Sequence, residues 1–183
     1  MNKVLSLIIF VFLVTVVCFA NEGFKIYELG HTTFYWNMQK TEVLEALNQY
    51  TKELEKVGGE CKLSSLDNGQ INLFCRGSLE HPNNRIYENT YSFFFAQDRL
   101  LKIELLLDMG IEEGTGLFSY AVGSKRNAVN MQAKDIKDFY TLKFGAPIIS
   151  EEIKTGWSTG NEIVVLNNYS TSHQIRIEYY PKN

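Results

Sequence analysis

Hydrophobic residues recur at spacings of three and four in two parts of the chain. This period predicts two amphipathic helices, at 39–57 and at 132–143. Glycine follows each helix, at Gly58 and at Gly145, where a left-handed residue commonly ends a helix. The residues expected to face the core are Val43, Leu44, Leu47, Tyr50, Leu54 and Val57 in the first helix, and Ile136, Phe139, Tyr140 and Phe144 in the second.

Alternating apolar and polar positions predict antiparallel strands after each helix. In the segment 100–108, Leu101, Ile103, Leu105 and Leu107 are expected to share one face of a sheet. The predicted strands are a hairpin at 60–77, then 86–96, 100–108, 148–157, 161–168 and 173–180. The order of elements is helix, four strands, loop, helix and three strands, which predicts the α+β fold class.

The first hairpin contains two cysteines at positions that allow a geometric test. Asp67-Asn68-Gly69 has the composition of a three-residue loop with a left-handed glycine, which would place Leu66 opposite Gln70. Counting outward along the strands then places Cys61 opposite Cys75. We therefore predict a Cys61–Cys75 disulfide on the core face, contributing about 3 kcal/mol. The alternative is a reactive or metal-binding dithiol, for which a neighbouring cysteine or histidine is lacking.

A short motif occurs twice, as NMQKTEV at 37–43 and as NMQAKDI at 130–136. Each copy is predicted to open a helix, with its methionine and final aliphatic residue facing the core. The repetition predicts two tandem helix-then-antiparallel-sheet units, forming one continuous sheet with both helices on one face. The alternative is convergence on a common type of helix start. The predicted boundaries are a signal peptide at 1–20, a first unit at 21–109, a glycine-rich connecting loop at 110–129 and a second unit at 130–183.

The segment 1–20 resembles a secretory signal peptide, because Lys3 precedes an apolar run that ends in small residues before a cut after Ala20. The alternatives are an uncleaved membrane anchor and a lipidated Cys18. After cleavage the chain would hold 17 basic and 21 acidic residues, a net charge of −4. We therefore expect a periplasmic or secreted protein that does not bind nucleic acid and has no membrane span after the signal.

Two stretches resemble a known superfamily. The NMQKTEV start is similar to the helix start of small exported bacterial proteins, and 142–147 with Trp157 ten residues further on looks like the ending of their repeat units. These proteins are the small outer-membrane-assembly lipoproteins and the tandem-repeat β-lactamase inhibitor proteins. The resemblance implies a helix-plus-antiparallel-sheet fold and a non-enzymatic role in binding another protein.

No catalytic or metal-binding motif accounts for the histidines, serines or glycine pairs, so we expect no cofactor and no metal. The predicted function is a small non-enzymatic protein-binding or inhibitor-like module. Phe118, Tyr120 and Trp157 are the candidate partner contacts, because aromatic residues dominate binding hot spots, and ordinary packing is the alternative for each. The alternative function is a small envelope hydrolase with a dispersed active site that uses His31 or His173.

Overall fold

The computed structural model describes residues 23–26, 29, 32–76, 88–108 and 118–182. These described residues form two helices, an eight-stranded antiparallel sheet and a separate two-stranded sheet, which confirms the α+β class. The predicted signal peptide, His31 and His81 lie outside the described residues. The elements are β1 (Phe24–Lys25), β2 (Thr33–Phe34), α1 (Lys40–Glu55), β3 (Glu60–Ser65), β4 (Ile71–Arg76), β5 (Glu88–Ala96), β6 (Arg99–Asp108), α2 (Phe118–Phe144), β7 (Ile149–Ser150), β8 (Lys154–Ser158), β9 (Glu162–Tyr169), a 3-10 turn (Ser170–Ser172) and β10 (Gln174–Pro181).

Helix α1 follows its predicted pattern closely. The Gln39 backbone N–H donates to the Glu42 carboxylate at 2.7 Å, which satisfies a free donor at the helix start. The helix ends at Glu55, so Val57 lies beyond it and is exposed. The predicted stripe positions that are fully buried are Val43, Leu47, Tyr50 and Leu54.

Helix α2 begins at Phe118, well before the predicted start at 132. The predicted glycine-rich loop at 110–129 is therefore helical from 118 onward, and the second NMQ motif lies inside the helix instead of opening it. Ile136 is buried as expected, but Met131 is exposed, which corrects the prediction that both methionines face the core. The helix ends as predicted at Gly145, whose φ is 85° and whose N–H donates to the Thr141 carbonyl at 2.9 Å.

The disulfide hairpin has the predicted register. Leu66 N–H donates to the Gln70 carbonyl at 2.9 Å, and Gly69 has a φ of 83° in the turn. Cys61 pairs directly with Cys75 in the β3–β4 ladder, their Cα atoms are 4.1 Å apart, and a disulfide joins them. The Cys75 side chain belongs to the core, so the bridge lies on the predicted face.

The eight strands run in the spatial order β3-β4-β5-β6-β10-β9-β8-β7. Each half of this sheet is a four-stranded meander, and the last strand of one half, β6, pairs with the last strand of the other, β10. The segment 148–157, predicted as one strand, is divided into β7 and β8, which pair antiparallel. The chain turns at 151–153, where the Glu151 N–H donates to the Lys154 carbonyl at 2.8 Å and both glutamates remain exposed.

A bulge shifts the register between β5 and β6, where Phe94 pairs with Lys102 and Phe95 pairs with Leu100. The extra residue is Leu101, which is exposed, while Leu100 is buried in its place. The prediction that Leu101 shares a face with Ile103 is therefore wrong. Alternation beyond the bulge follows the predicted pattern, with Ile103, Leu105 and Leu107 buried.

Both helices pack on the same face of the eight-stranded sheet. The buried side chains of α1 and α2 belong to one hydrophobic core with alternate residues of the strands. Helix α1 contacts β3 and β6, and α2 contacts β8, β9 and β10. Because residues opposite each other in a ladder share a face, Phe93, Ile103 and Tyr179 point to the helices. The residues between them point to the opposite face.

Candidate functional site

The structure places the predicted contact Trp157 in the core. Its side chain is fully buried, and its indole ring centroid lies 5.4 Å from that of Tyr140. Its Nε1 donates a hydrogen bond to the Thr141 hydroxyl at 3.3 Å. Strand alternation in β8 directs Trp157 toward α2, so it stabilises the fold and is not a surface contact for a partner. Packing was the alternative interpretation for this residue.

The other sequence-predicted residues are not brought together into a site. Phe118 and Tyr120 lie in the first turn of α2, and their side chains are outside the described part of the structure. His173 is buried and has a φ of 57°, so it is the left-handed residue that joins the 3-10 turn to β10. Among the described residues, no cluster of three or more metal-ligating side chains occurs. No observation on these residues favours the hydrolase alternative.

The sheet surface opposite the helices is the strongest candidate for a functional surface, and we call it the open face. No described helix packs against it. Polar and aromatic side chains from the central strands occupy it, and they are half-buried by one another. Its central residues are Thr90, Ser92, Phe94, Lys102, Glu104, Leu106, Arg176, Glu178 and Tyr180.

An ion-pair network lies at the centre of the open face. The Lys102 ammonium donates to Glu178 Oε1 at 2.6 Å and to Glu104 Oε2 at 3.0 Å, which links β6 to β10. Arg176 Nε lies 3.4 Å from Glu104 Oε1, and the Tyr180 hydroxyl donates to Glu178 Oε1 at 2.9 Å. The Lys102, Glu104 and Glu178 side chains are only 18 to 24% exposed, so solvent screens these charges less than at a free surface.

The network shifts the pKa values of its members away from neutrality. Burial by itself would raise the pKa of Glu178, but hydrogen bonds from Lys102 and Tyr180 outweigh it and lower the pKa. Burial would lower the pKa of Lys102, but hydrogen bonds and charges of Glu178 and Glu104 raise it well above its ordinary value. Burial and the bond to Glu178 raise the pKa of Tyr180. Near neutral pH these shifts favour the charged forms of Lys102 and Glu178 and the neutral form of Tyr180.

Aromatic rings hold the network in place from two sides. The Lys102 ammonium lies 5.3 Å from the ring centroid of Phe94 and 5.3 Å from that of Tyr180. The Arg176 guanidinium lies 5.7 Å from the ring centroid of Tyr169. Cations over aromatic faces gain electrostatic attraction while the rings cover their stems. The result is a pre-organised surface in which charged and aromatic groups alternate.

Sequence reasoning missed this surface, although a signal was present. The polar positions of β6 and β10 alternate with buried ones, and both strands carry charged residues on the same side. The pattern in each strand is that of any half-buried strand, so neither strand stands out by itself. The direct pairing of Glu104 with Glu178 in the ladder brings the charges together, and strand order decides that pairing.

Comparison of the chain with protein-family models, with curated proteins and with solved structures finds no match. The superfamily resemblance noted from the sequence therefore stays a prediction. In the part of the chain that the structure describes, neither helix has the length and apolar character needed to cross a bilayer.

Proposed function

We propose that this protein is an exported, non-enzymatic binding or inhibitor-like module that contacts a partner protein through the open face. The observation that carries the proposal is the aromatic-flanked network of Lys102, Glu104 and Glu178 at the centre of a sheet surface that no described helix covers. Interfaces are enriched in aromatic residues and arginine, which this surface supplies in Phe94 and Arg176.

The chemistry of the network favours binding. Its charged groups already have fixed partners, so a partner protein would meet a rigid pattern of charges and would not have to order flexible side chains. Rigid groups lose less conformational entropy on association. The partner we expect is another protein of the envelope or of the extracellular space, with polar groups that complement this mixed-charge centre.

A periplasmic or secreted location fits the proposal. A disulfide joins Cys61 to Cys75, and disulfides persist in oxidising compartments. The segment 1–20 has the composition of a signal peptide, which would direct export. These two features are independent of each other.

The order of strands also supports an origin from two tandem units, as the superfamily resemblance implies. A helix followed by a four-stranded antiparallel meander occurs twice along the chain, and the two meanders join through β6 and β10. Duplication would relate the two halves by an approximate twofold axis between those strands. The test is to superpose 40–108 on 130–181. Duplication would be excluded if the four strands of the first half did not overlay on the four strands of the second half in the same order.

The binding proposal is tested by chemical crosslinking of the mature protein in envelope extract, with matched variants. Ser92→Arg places a large side chain at the centre of the open face, and Phe94→Ala removes an aromatic contact. Leu142→Arg is the control, because Leu142 is 91% exposed on the helix side of the molecule. We expect a saturable partner that the wild type and Leu142→Arg capture equally, with at least tenfold less capture by the two open-face variants.

Each variant must first show the far-UV circular dichroism spectrum and cooperative melting of the folded protein. Capture by Ser92→Arg and Phe94→Ala at the wild-type level would contradict binding through the open face. If only Leu142→Arg lost capture of the partner, the interface would lie on α2 instead.

A further inference from the structure

A cleft of about 350 Å³ lies away from the open face, between β1, the end of α2 and the turn that joins β8 to β9. This volume is at the lower end of the range for small-molecule sites, which is roughly 300 to 1,000 Å³. The side chains that give the cleft its chemistry are Phe24, Lys25, Trp36, Lys143, Phe144 and Glu162.

Two buried polar atoms at this cleft lack a hydrogen-bond partner among the described residues. Glu162 is only 5% exposed, and its Oε2 atom accepts no hydrogen bond. Trp36 Nε1, a donor, is likewise buried without an acceptor. Buried polar groups in folded proteins are nearly always paired, so each exception needs an explanation. Here one acceptor and one donor are left unmatched in the wall of the same cleft.

The charges of the cleft are of both signs. Burial raises the pKa of Glu162, and the charge of Lys143 opposes this shift. Burial lowers the pKa of Lys143, while Glu162 counters the shift and Lys25 adds to it. Lys25 and Lys143 both line the cleft, so its wall carries two positive charges, which favour an anion. Among the described residues no ion pair within 4.0 Å joins Glu162 to a lysine, so its carboxylate is not neutralised by a direct contact.

Aromatic rings form the apolar wall. Phe24 and Trp36 stack with ring centroids 4.4 Å apart and planes 18° apart. The Lys143 ammonium lies 4.8 Å from the ring centroid of Phe144, so that aromatic residue fixes the position of the cation. The cleft thus combines a rigid apolar surface, a buried carboxylate and a pair of lysines.

We propose that this cleft binds a small zwitterion of the free α-amino-acid class. The ligand ammonium would donate to the Glu162 carboxylate, and the ligand carboxylate would meet the ammonium groups of Lys25 and Lys143, which line the same cleft. A simple amine would satisfy Glu162 but leave the lysine pair without an anion. A simple carboxylate would do the reverse. An amino acid supplies both groups on neighbouring atoms and a side chain for the Phe24–Trp36 wall.

The test is isothermal titration calorimetry of the mature protein with glycine, L-leucine and L-phenylalanine. For the best of the three, the N-acetyl derivative and the carboxamide are titrated as matched probes that each lack one charge. We expect saturable one-to-one binding of the zwitterion and at least tenfold weaker binding of both derivatives. Absence of binding by all three amino acids at 10 mM, or equal binding of the N-acetyl derivative, would overturn the proposal.

Variants assign the binding to this cleft. Glu162→Gln and Lys143→Met should each weaken binding at least tenfold, whereas Glu151→Gln, which changes an exposed carboxylate in the turn at the other end of β8, should bind like the wild type. The chain has two tryptophans, and Trp157 is buried in the core, so a ligand-induced change in indole fluorescence should disappear in Trp36→Phe. Wild-type affinity in a folded Glu162→Gln variant would refute this placement. Partner capture through the open face is independent of either result.

Discussion

Replacement of Lys102 by methionine tests whether the open-face network is a rigid, energetically coupled unit. Methionine keeps much of the length of the lysine side chain but removes the ammonium, which lies over the rings of Phe94 and Tyr180. Glu178 would then lose a hydrogen bond at 2.6 Å while it remains largely buried. A hydrogen bond to a charged group contributes about 1.5 to 3 kcal/mol. Because these side chains keep some solvent access, we expect a Lys102–Glu178 coupling energy of about 1.5 kcal/mol at pH 7.

The assay is a double-mutant cycle in urea. Unfolding of the wild type, Lys102→Met, Glu178→Gln and the double variant is followed by circular dichroism, and the coupling energy is the departure from additivity. The folded-state pKa of Glu178 is lowered, so its contribution is present above the ordinary glutamate pKa of about 4.3 and is lost as the pH falls through the folded-state value. The coupling should therefore decline steadily in titrations below pH 4.

The exposed pair Lys134–Asp138 provides the control. Its ammonium and carboxylate are 2.8 Å apart at i,i+4 spacing on α2, a distance similar to that of the buried pair. Its side chains are 74% and 63% exposed, so solvent screens the attraction and the same cycle should show no measurable coupling. A Lys102–Glu178 coupling below about 0.5 kcal/mol at pH 7, or one equal to that of the control, would refute the reasoning that burial makes this network rigid.

Two further predictions concern stability. Glu162→Gln should raise the ligand-free unfolding free energy by about 1 kcal/mol at pH 7, because burial raises the folded-state pKa of Glu162 and ionising it costs stability. Thermal melts across pH should show the gain shrinking as the pH falls through the raised folded-state pKa of Glu162 and vanishing below the ordinary glutamate pKa of about 4.3, where both states bind the proton; a constant gain would contradict this origin. The double variant Cys61→Ala/Cys75→Ala should lose at least about 3 kcal/mol in urea unfolding, since the bridge restricts the unfolded chain; equal stability would contradict a disulfide in the protein.

Local patterns in the sequence are enough to predict the elements whose stability is local. The Asp67–Gly69 turn defines the β3–β4 register, because a loop of given length leaves one pairing, and the cysteines agree with it. The stripe of α1 is predicted for a similar reason, since one helix face meets the core throughout its length. The α+β class follows from the sum of such signals.

Features of the fold that depend on contacts between distant parts of the chain were not predicted, or were predicted at the wrong positions. The weak apolar pattern and four glycines in 110–123 predicted a loop, yet α2 extends through 118–123. The bulge at Leu101 reversed the expected direction of one leucine, because the pairing with β5 shifts there. Neither feature has a local sequence marker strong enough to predict it.

The sequence by itself therefore determined the hairpin, the disulfide, the first helix and the antiparallel character of the strands. Tertiary structure alone decided that β6 pairs with β10, which assembles Lys102, Glu104 and Glu178 into one network. It also decided that Glu162 of β9 faces the end of α2 and β1, far apart in the chain. The physical reason is that strand order and helix placement are set by burial of one shared core, and no short stretch of residues encodes that arrangement.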